Sequence, residues 1–259
     1  MKKLLSISLA LLMILALSAC GSDASTSSST STVGASSSGA SVSTEAVQEE
    51  TEETTASDPY EITYTSFKLY SDSIGSVWGQ SIIEITNTGS EDLYLSSGSY
   101  DIKDESGSLV ASKDLISAFP DVLQPGEKGY MYDETTFDDL SLDGTYTITP
   151  HVSVEEASID CVRYDVFDTS IKNDEYSGVA VMGQVTNTTD EEGSMVYVVT
   201  VLYDDAETPL GVLYTILSND IPAGETMGFE MTGFSLPPEV TADAVANYTV
   251  YAYPMQMQF

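Results

Sequence analysis

The sequence VAVMGQVTNT, at positions 179–188, has the alternation of a half-buried β-strand and ends in an Asn-Thr pair. A period of two places Val179, Val181 and Val185 on one face, which predicts that this face packs on a core. Asn187 follows the run, and asparagine tolerates the left-handed backbone that tight turns need. The stretch therefore predicts a strand followed by a turn.

The same landmark occurs one hundred residues earlier, where Ile85-Thr86-Asn87-Thr88 follows the apolar run that contains Val77 and Ile83. Three further landmarks recur in the same order and at nearly the same spacing: residues 100–104 with 200–204, 125–127 with 223–225, and 146–148 with 248–250. Recurrence of this kind indicates an internal duplication. Repeated features of this type indicate scaffold rather than a binding site.

Each repeat consists of short runs rich in Tyr, Ile, Val and Thr, separated by Gly, Asn, Asp and Pro, which are strand signals. In the first repeat we expect strands at 60–70, 77–86, 93–95, 99–103, 109–110, 129–132 and 145–154, with a hairpin turn at 104–107. Residues 113–118 and 137–142 are candidates for single helical turns. About seven strands in about 95 residues are typical of an immunoglobulin-like sandwich. The predicted fold class is all-β, with two tandem immunoglobulin-like β-sandwich domains at 59–155 and 156–259.

The second repeat resembles the FxLYD family, extracellular Ig-like modules of bacterial lipoproteins and surface proteins. The resemblance covers residues 178–253 and is carried by 183–187 (GQVTN), 202–204 (LYD) and 221–225 (IPAGE). Thr200 stands where the family has its phenylalanine. In the first repeat Tyr100 and Lys103 take the corresponding places, so that this repeat is a distant relative. The resemblance implies a β-sandwich in an extracytoplasmic setting and supplies no catalytic residue.

The first twenty residues have the pattern of an export signal. Lys2 and Lys3 precede an apolar run over 4–17 that is short for a membrane span. The run ends in Leu17-Ser18-Ala19-Cys20, which resembles the lipobox of bacterial lipoproteins. The resemblance implies a signal peptide at 1–19, a lipid on Cys20, and attachment to the extracytoplasmic face of the cell membrane, as on a Gram-positive cell surface. An ordinary cleaved signal and an uncleaved anchor are the alternatives.

Residues 20–58 have the composition of a linker. Half of the residues from 21 to 58 are Ser or Thr, none is aromatic, and five glutamates lie between 45 and 53. Such a segment cannot bury enough apolar surface to fold alone. We expect a disordered tether that holds the globular part away from the membrane, and its hydroxyl content leaves O-glycosylation open.

The chain is strongly acidic, with 41 acidic and 8 basic residues and a formal net charge of −33. Removal of residues 1–19 takes away Lys2 and Lys3 and no acid, which leaves six basic residues and a net charge of −35. This charge disfavours nucleic acid and anionic head groups, and it favours divalent cations or basic partners. The alternative is a solvated acidic surface with no specific ligand.

Residues suited to catalysis are scarce. His151 is the only histidine, and Cys161 is the only cysteine besides Cys20. No Gly-x-Ser-x-Gly elbow and no glycine-rich phosphate loop occurs in the sequence. These observations disfavour histidine-based hydrolases, zinc sites and nucleotide cofactors, and predict a non-enzyme without a cofactor. We expect Cys161 to be a buried structural thiol and His151 an ordinary strand residue.

Acidic residues cluster at 133–143, where Asp133 and Glu134 are followed by Asp138, Asp139 and Asp143. Loop carboxylates are the ligands that Ca²⁺ prefers, so Asp138, Asp139 and Asp143 form a candidate calcium site. Their spacing does not match the twelve-residue EF-hand loop, and a solvated acidic loop is the alternative. Paired carboxylates could also serve a glycosidase, although 41 acids single out no pair.

Aromatic residues occur throughout the predicted strands. Trp78 and a set of tyrosines could line a face that binds sugar or peptide, or could fill cores and cross-strand pairs. The tyrosines are Tyr64, Tyr70, Tyr94, Tyr197, Tyr203 and Tyr214. The sequence thus predicts a lipid-anchored, non-enzymatic interaction or structural module whose partner is another protein or the cell wall. The alternatives are a ligand- or Ca²⁺-binding lipoprotein, as in adhesion, glycan binding or transporter accessory roles, and a carboxylate hydrolase.

Overall fold

The computed structural model describes residues 58–115, 117–175, 177–233 and 236–255. Within these ranges the chain forms fourteen β-strands and no helix, and every strand pairing is antiparallel, which confirms the predicted all-β class. The predicted signal peptide, Cys20 and residues 20–57 lie outside the described residues. The described part of the chain contains no helix that is long and apolar enough to cross a membrane.

The first half of the described chain forms two sheets that face each other. One has the strand order β1-β2-β7-β5, and the other has the order β4-β3-β6 with β8 also paired to β3. The strands are β1 (Tyr60–Ser71), β2 (Val77–Asn87), β3 (Leu93–Asp104), β4 (Leu109–Leu115), β5 (Ala118–Phe119), β6 (Val122–Leu123), β7 (Lys128–Thr136) and β8 (Tyr146–Glu156). Their facing sides enclose an apolar core that includes Ile83, Ile85 and Tyr100.

The second half also forms two sheets, with orders β13-β10-β9 and β12-β11-β14. The strands are β9 (Asp165–Asp174), β10 (Gly178–Thr186), β11 (Val196–Tyr203), β12 (Pro209–Ile216), β13 (Thr226–Thr232) and β14 (Asn247–Pro254). Val179, Val181 and Val185 are fully buried in the core between these sheets, as their alternation predicts.

The two predicted helical turns are wrong. Residues 113–115 continue β4 and residues 118–119 form β5, while 137–142 form bends and a turn. From Ala111 onward β4 alternates between less and more exposed positions and ends at Leu115, which is fully buried. A period of two matches a strand paired to β3 and not a helical turn. Phe137 is buried in the core of the first half.

A third apolar cluster lies between the two halves. It joins the sheet β1-β2-β7-β5 to the sheet β12-β11-β14, and both sheets are therefore covered on both faces. From the first half it takes Ile82, Phe119, Tyr130 and Tyr132, and from the second Val199, Val201, Val212 and Tyr253, all buried. The described residues accordingly belong to one compact unit.

Asn87 and Asn187 make the same contacts one hundred residues apart. The side-chain amide of Asn87 donates to the carbonyls of Glu91 (2.8 Å) and Leu123 (2.9 Å). The amide of Asn187 donates to the carbonyls of Glu191 (2.7 Å) and Ile221 (2.8 Å). Both asparagines are completely buried. Each side chain thus ties the end of one strand to two other segments of its own half.

The reason that the sequence suggested for these asparagines is wrong. Neither Asn87 nor Asn187 is among the described non-glycine residues with positive φ. The left-handed residues are Gly126 (φ 81°) and Gly224 (φ 75°), whose N–H groups donate to the carbonyls of Asn87 (2.8 Å) and Asn187 (2.9 Å). The glycines shape the turns, and the asparagines satisfy buried carbonyls.

Candidate functional site

A chain of polar groups crosses the third apolar cluster. The hydroxyls of Tyr130 and Tyr203 lie 2.6 Å apart, and the Tyr130 hydroxyl donates to Glu84 Oε2 at 3.0 Å. Glu84 is buried and also accepts from Thr63 (2.7 Å) and Lys128 (2.9 Å). Burial raises the pKa of Tyr130 far above its ordinary value, so that its hydroxyl stays protonated and available as a donor. These contacts join the two halves.

Arg163, the only arginine of the chain, forms a second connection between the halves. Its Nη2 donates to Glu127 Oε2 at 2.9 Å and to the carbonyl of Val122 at 2.6 Å. Its Nε donates to Glu127 Oε1 at 3.3 Å, and its guanidinium lies 5.4 Å from the centre of the Tyr253 ring. A fork-shaped contact with one carboxylate fixes orientation as well as distance. The connection thus holds the residues between β8 and β9 against the first half.

A groove follows the junction between the halves, and it has three sections. The first section, about 390 Å³, lies beside Tyr70, Trp78 and Val240. The second, about 300 Å³, lies between β7 and β12 and is lined by Tyr132, Glu134 and residues 212–214. Gly233 and Leu236 line both sections, so that the two are adjacent. We call the whole depression the junction groove.

The third section, about 460 Å³, is the most aromatic part of the junction groove. Tyr214 lines both this section and the second. The Tyr214 ring is stacked on Phe119 at 4.8 Å, and Tyr197 is stacked on Tyr253 at 5.7 Å. Tyr214 nevertheless remains 49% exposed. The section therefore presents a preformed aromatic surface to solvent.

In the first section, Trp78 is held by a single carboxylate. Its indole N–H donates to Asp72 Oδ2 at 3.1 Å, and Asp72 Oδ1 accepts from the backbone of Ile74 (3.0 Å) and Ser76 (2.8 Å). Partial loss of hydration raises the pKa of Asp72, but the hydrogen bonds from Trp78 and Ser76 outweigh it and leave the pKa below its ordinary value. The only tryptophan is thus a fixed wall of the groove.

No protein-family model and no curated protein sequence matches this chain. The assignment of function therefore depends on the geometry of the groove and on the sequence patterns.

His151 does not form a hydrolase site with its neighbours. Its Nε2 lies 3.2 Å from Asp101 Oδ2, and the hydroxyl of Ser112 donates to the other oxygen of Asp101 at 2.5 Å. The hydrogen bond from the Ser112 hydroxyl lowers the pKa of Asp101 most, and the hydrogen bond from His151 lowers it further. In a catalytic triad the imidazole stands between the serine and the carboxylate. Here the carboxylate stands between the other two, so that the imidazole does not contact the Ser112 hydroxyl as the triad requires.

Cys161 is half-buried and unpaired, and its thiol lies 3.8 Å from the carbonyl of Val122. Burial raises the pKa of the Cys161 thiol to about 11. At neutral pH it is therefore a thiol and not the reactive thiolate. This agrees with a structural role.

The structure does not gather the acidic cluster into a metal site. Within the described residues, no three His, Cys, Asp or Glu side chains lie close enough together to hold a metal ion. Asp138, Asp139 and Asp143 are exposed. Asp133 instead accepts a hydrogen bond from the Tyr100 hydroxyl at 2.8 Å, and burial raises its pKa.

The aromatic residues named from the sequence divide into two groups. Tyr64 and Tyr203 pack against the third apolar cluster, whereas Trp78, Tyr70, Tyr94 and Tyr214 line the junction groove, and Tyr197 does both. Sequence reasoning missed Phe119, Ile216 and Met255, which line the third section. One sequence signal was available, because Pro209–Ile216 contains no charged residue in a chain where acids are abundant.

Proposed function

We propose that this protein is a lipid-anchored cell-surface protein whose two immunoglobulin-like sandwiches act together as one binding module. The module performs no chemistry and contacts its partner through the junction groove. The observation that carries this proposal is the third section of the groove, where the Tyr214 ring, stacked on buried Phe119, remains 49% exposed at the junction of two covalently linked halves.

Four of the nine exposed large apolar side chains of the described residues lie near this section. Met195, Tyr214, Ile216 and Met255 are each between 38% and 49% exposed. They are neighbours, because Ile216 pairs with Tyr197 and the backbone of Met255 donates to the carbonyl of Met195 at 3.2 Å. A contiguous exposed apolar patch on a soluble protein marks an interaction surface. The distribution therefore supports binding through this side of the molecule.

The surface location is supported by the sequence of the first twenty residues. Lys2, Lys3, the apolar run and the Leu-Ser-Ala-Cys ending have the order of a lipoprotein signal. A single acyl chain anchors weakly, whereas the diacylglycerol that a lipobox cysteine receives supplies two chains, which suffice for stable attachment. In this proposal Cys20 carries the anchor, and residues 20–58 separate it from the sandwiches.

The anchor is tested by cell fractionation of Cys20→Ala with Cys161→Ala as the matched control. We expect Cys20→Ala to be lost from the membrane fraction, whereas Cys161→Ala remains there. A Cys20→Ala variant that is processed and still sediments with membranes would exclude lipid attachment.

The binding role is tested separately, by placing a photo-crosslinking amino acid at Tyr214 or at Leu109 in the full chain. Leu109 is 59% exposed on β4 and does not line the groove, so it controls for exposure alone. We expect adducts on intact cells from position 214 and none from position 109. Equal labelling at both positions, or no adducts at 214, would contradict binding through the junction groove.

A further inference from the structure

We infer that the end of β12 and the second and third sections of the junction groove bind an extended basic peptide segment of a partner protein. The segment adds to β12 as an extra strand and places an apolar side chain on the Phe119–Tyr214 surface. This inference rests on the proposed binding role and names the chemistry of the partner.

The first observation is the unprotected edge of β12. β12 pairs with β11 on one side and has no strand partner on its other side among the described strands. Edge strands are normally protected from further pairing by charged side chains, proline or bulges. The edge strands β1, β4, β8, β9 and β13 each contain at least one charged residue. β12 contains no charged residue, and its proline, Pro209, and its register shift opposite Leu202 and Tyr203 lie at its beginning, away from residues 214–216.

β14 is also uncharged, but its edge is closed in another way. The backbone N–H of Tyr164 donates to the carbonyl of Ala252 at 2.8 Å, and Pro254 ends the strand without a donor. The edge strands β5 and β6 are uncharged too, but each is only two residues long. Among the longer described strands, β12 therefore remains the uncharged edge at which a further strand can pair.

The second observation is that the apolar face of β12 continues beyond the contact between the halves. Val212, Tyr214 and Ile216 alternate along the strand and so share one face. Val212 is only 3% exposed beneath the first half, whereas Tyr214 and Ile216 are 49% and 39% exposed. Leu236 packs over Gly211 and covers the beginning of the strand. The pairing site is thus the end of β12, residues 214–216, next to the third section.

The third observation is charge. The described residues that line the second and third sections include two carboxylates, Glu134 and Asp121, and no lysine, arginine or histidine. Because the chain has a net charge of −33, its field also attracts cations and repels a second copy. A peptide with lysine or arginine two positions from an apolar residue matches this surface, since alternate side chains of an added strand point to the same side.

Glycans and a second copy of the chain are the competing occupants. Aromatic rings suit sugars, but the third section also exposes Ile216 and Met255, which offer no hydrogen bonds to hydroxyl groups. A free strand edge pairs with backbone amides, which a glycan supplies only where it carries peptide. Together with the carboxylates, these features favour a basic peptide.

The inference is tested by titrating the full-length protein with a fluorescein-labelled, N-acetylated Lys-Thr-Phe-Thr-Lys-Thr peptide, which places both Lys and the Phe on one side of an extended strand, and measuring anisotropy. Two comparison peptides isolate the two interactions: one replaces each Lys with Glu, and one is N-methylated at alternate residues so that it cannot pair with an edge. We expect the Lys peptide to bind and each comparison peptide to bind at least about tenfold more weakly, because strand addition uses main-chain hydrogen bonds for affinity.

Variants of the protein locate the site. Ile216→Lys places a like charge on the edge and should weaken binding of the Lys peptide about tenfold or more, whereas Val110→Lys on β4 should have no effect. Glu134→Gln should weaken binding and reduce its dependence on salt, because a charge pair is lost. Unchanged thermal unfolding of Ile216→Lys shows that the fold is intact. A destabilised variant is replaced by Ile216→Pro, which removes a backbone donor that points away from β11, because Leu217 N–H donates to Val196 and residues 217 and 215 therefore both face β11.

Three results would overturn the inference. One is equal binding of the Lys and Glu peptides, and another is undiminished binding to Ile216→Lys. The third is failure of the peptide to bind, together with another occupant at the same site. That occupant would be a muropeptide fragment, or a second copy detected by analytical ultracentrifugation, whose binding Ile216→Lys abolishes. Crosslinks from position 214 to a partner that has no basic extended segment would refute the basic-peptide inference and leave the binding role intact. Absence of all crosslinks would refute the binding role as well.

Discussion

The hydroxyls of Tyr130 and Tyr203 lie 2.6 Å apart, and this contact links strands from the two halves of the chain. The two rings meet edge to face with centres 6.5 Å apart. Tyr203 belongs to the Leu202-Tyr203-Asp204 landmark of the second repeat. At the corresponding place the first repeat has Lys103, which instead donates to Thr149 at 3.1 Å. The residue at this position therefore contacts the other half in the second repeat, and a neighbouring strand of its own sheet in the first.

Tyr130→Phe should destabilise the protein, because it removes a donor to buried Glu84 and the partner of the Tyr203 hydroxyl. Loss of one partner of a buried hydrogen bond costs about 1–3 kcal/mol. Urea unfolding followed by circular dichroism measures the change. Tyr214→Phe, which removes a hydroxyl from an exposed ring, is the control and should change the free energy of unfolding by less than about 0.5 kcal/mol. Equal effects of the two substitutions would show that the Tyr130–Tyr203 contact contributes nothing.

Asn87→Ala and Asn187→Ala should destabilise the protein by similar amounts. Each removes two hydrogen bonds from a buried side-chain amide, one of them to a buried carbonyl (that of Leu123 or of Ile221), at a cost of about 1–3 kcal/mol. Asn247→Ala, at an exposed position, is the control. A large effect of one substitution and a small effect of the other would indicate that the two halves use this landmark differently, despite identical contacts.

Much of the architecture could be predicted from the sequence, because its signals are local. The alternation at 179–185, the turns at Gly126 and Gly224, and the recurring landmarks depend on residues a few positions apart. The third apolar cluster depends on contacts such as Tyr130 with Tyr203, which are 73 residues apart. In β2, Gln80 and Glu84 share one face with Ile82, and polar residues on that face predict exposure to solvent, yet the residues from Gly79 to Ile85 are all buried.

The aromatic groove could be predicted only in part for the same reason. Tyr197 and Tyr214 were recognisable as aromatic residues in strands, but aromatic residues in strands usually fill cores. Val212, Tyr214 and Ile216 share one face of β12. Only the packing of the first half over Val212 makes one part of this face buried and the other exposed. Phe119 lies in a two-residue strand that carries no periodic signal.

Glu207→Gly should stabilise the protein. Asp72, Asp104 and Asp204 begin turns with the same pattern, in which the aspartate accepts from the backbone two and four residues later. The residue three after the aspartate is left-handed in each turn: Gly75 (φ 89°), Gly107 (φ 81°) and Glu207 (φ 61°).

A left-handed backbone is unfavourable for glutamate and natural for glycine, so that we expect a gain of about 0.5–1 kcal/mol after the greater entropy of unfolded glycine is counted. Gly107→Ala is the matched reverse change and should destabilise. Thermal unfolding measures both. A loss of stability in Glu207→Gly would show that the glutamate side chain contributes more than the backbone conformation costs.

Asp133→Asn should make the stability less dependent on pH. Burial raises the pKa of Asp133 in the folded state, and the unfolded value is about 3.9. A carboxyl with a raised folded pKa binds its proton more tightly when folded, so that its charge costs stability at neutral pH and that cost disappears as the pH falls toward about 4. Asparagine carries no charge and still accepts from Tyr100.

We therefore expect Asp133→Asn to exceed the native protein in free energy of unfolding at pH 7 and to lose this advantage near pH 4. Asp139→Asn, at an exposed position, is the control for loss of one negative charge. Urea unfolding at a series of pH values between 4 and 7 provides the comparison. If Asp139→Asn matches Asp133→Asn at every pH, the gain comes from relief of general charge repulsion and not from burial.

The second half, residues 156–259, should fold when expressed alone, because its core of Val179, Val181 and Val185 is complete within it. It should be less stable than the full chain, since Val199, Val201 and Val212 lose their cover, and burial of each such side chain contributes about 1.5–3 kcal/mol at most.

In the full chain the third apolar cluster couples the halves, so that calorimetry should show one cooperative transition. Val201→Ala should lower that transition but leave the isolated half almost unchanged, whereas Val198→Ala, in the inner core, should destabilise both. Two transitions in the full chain, each matching an isolated half, would show that the contact between the halves contributes no stability.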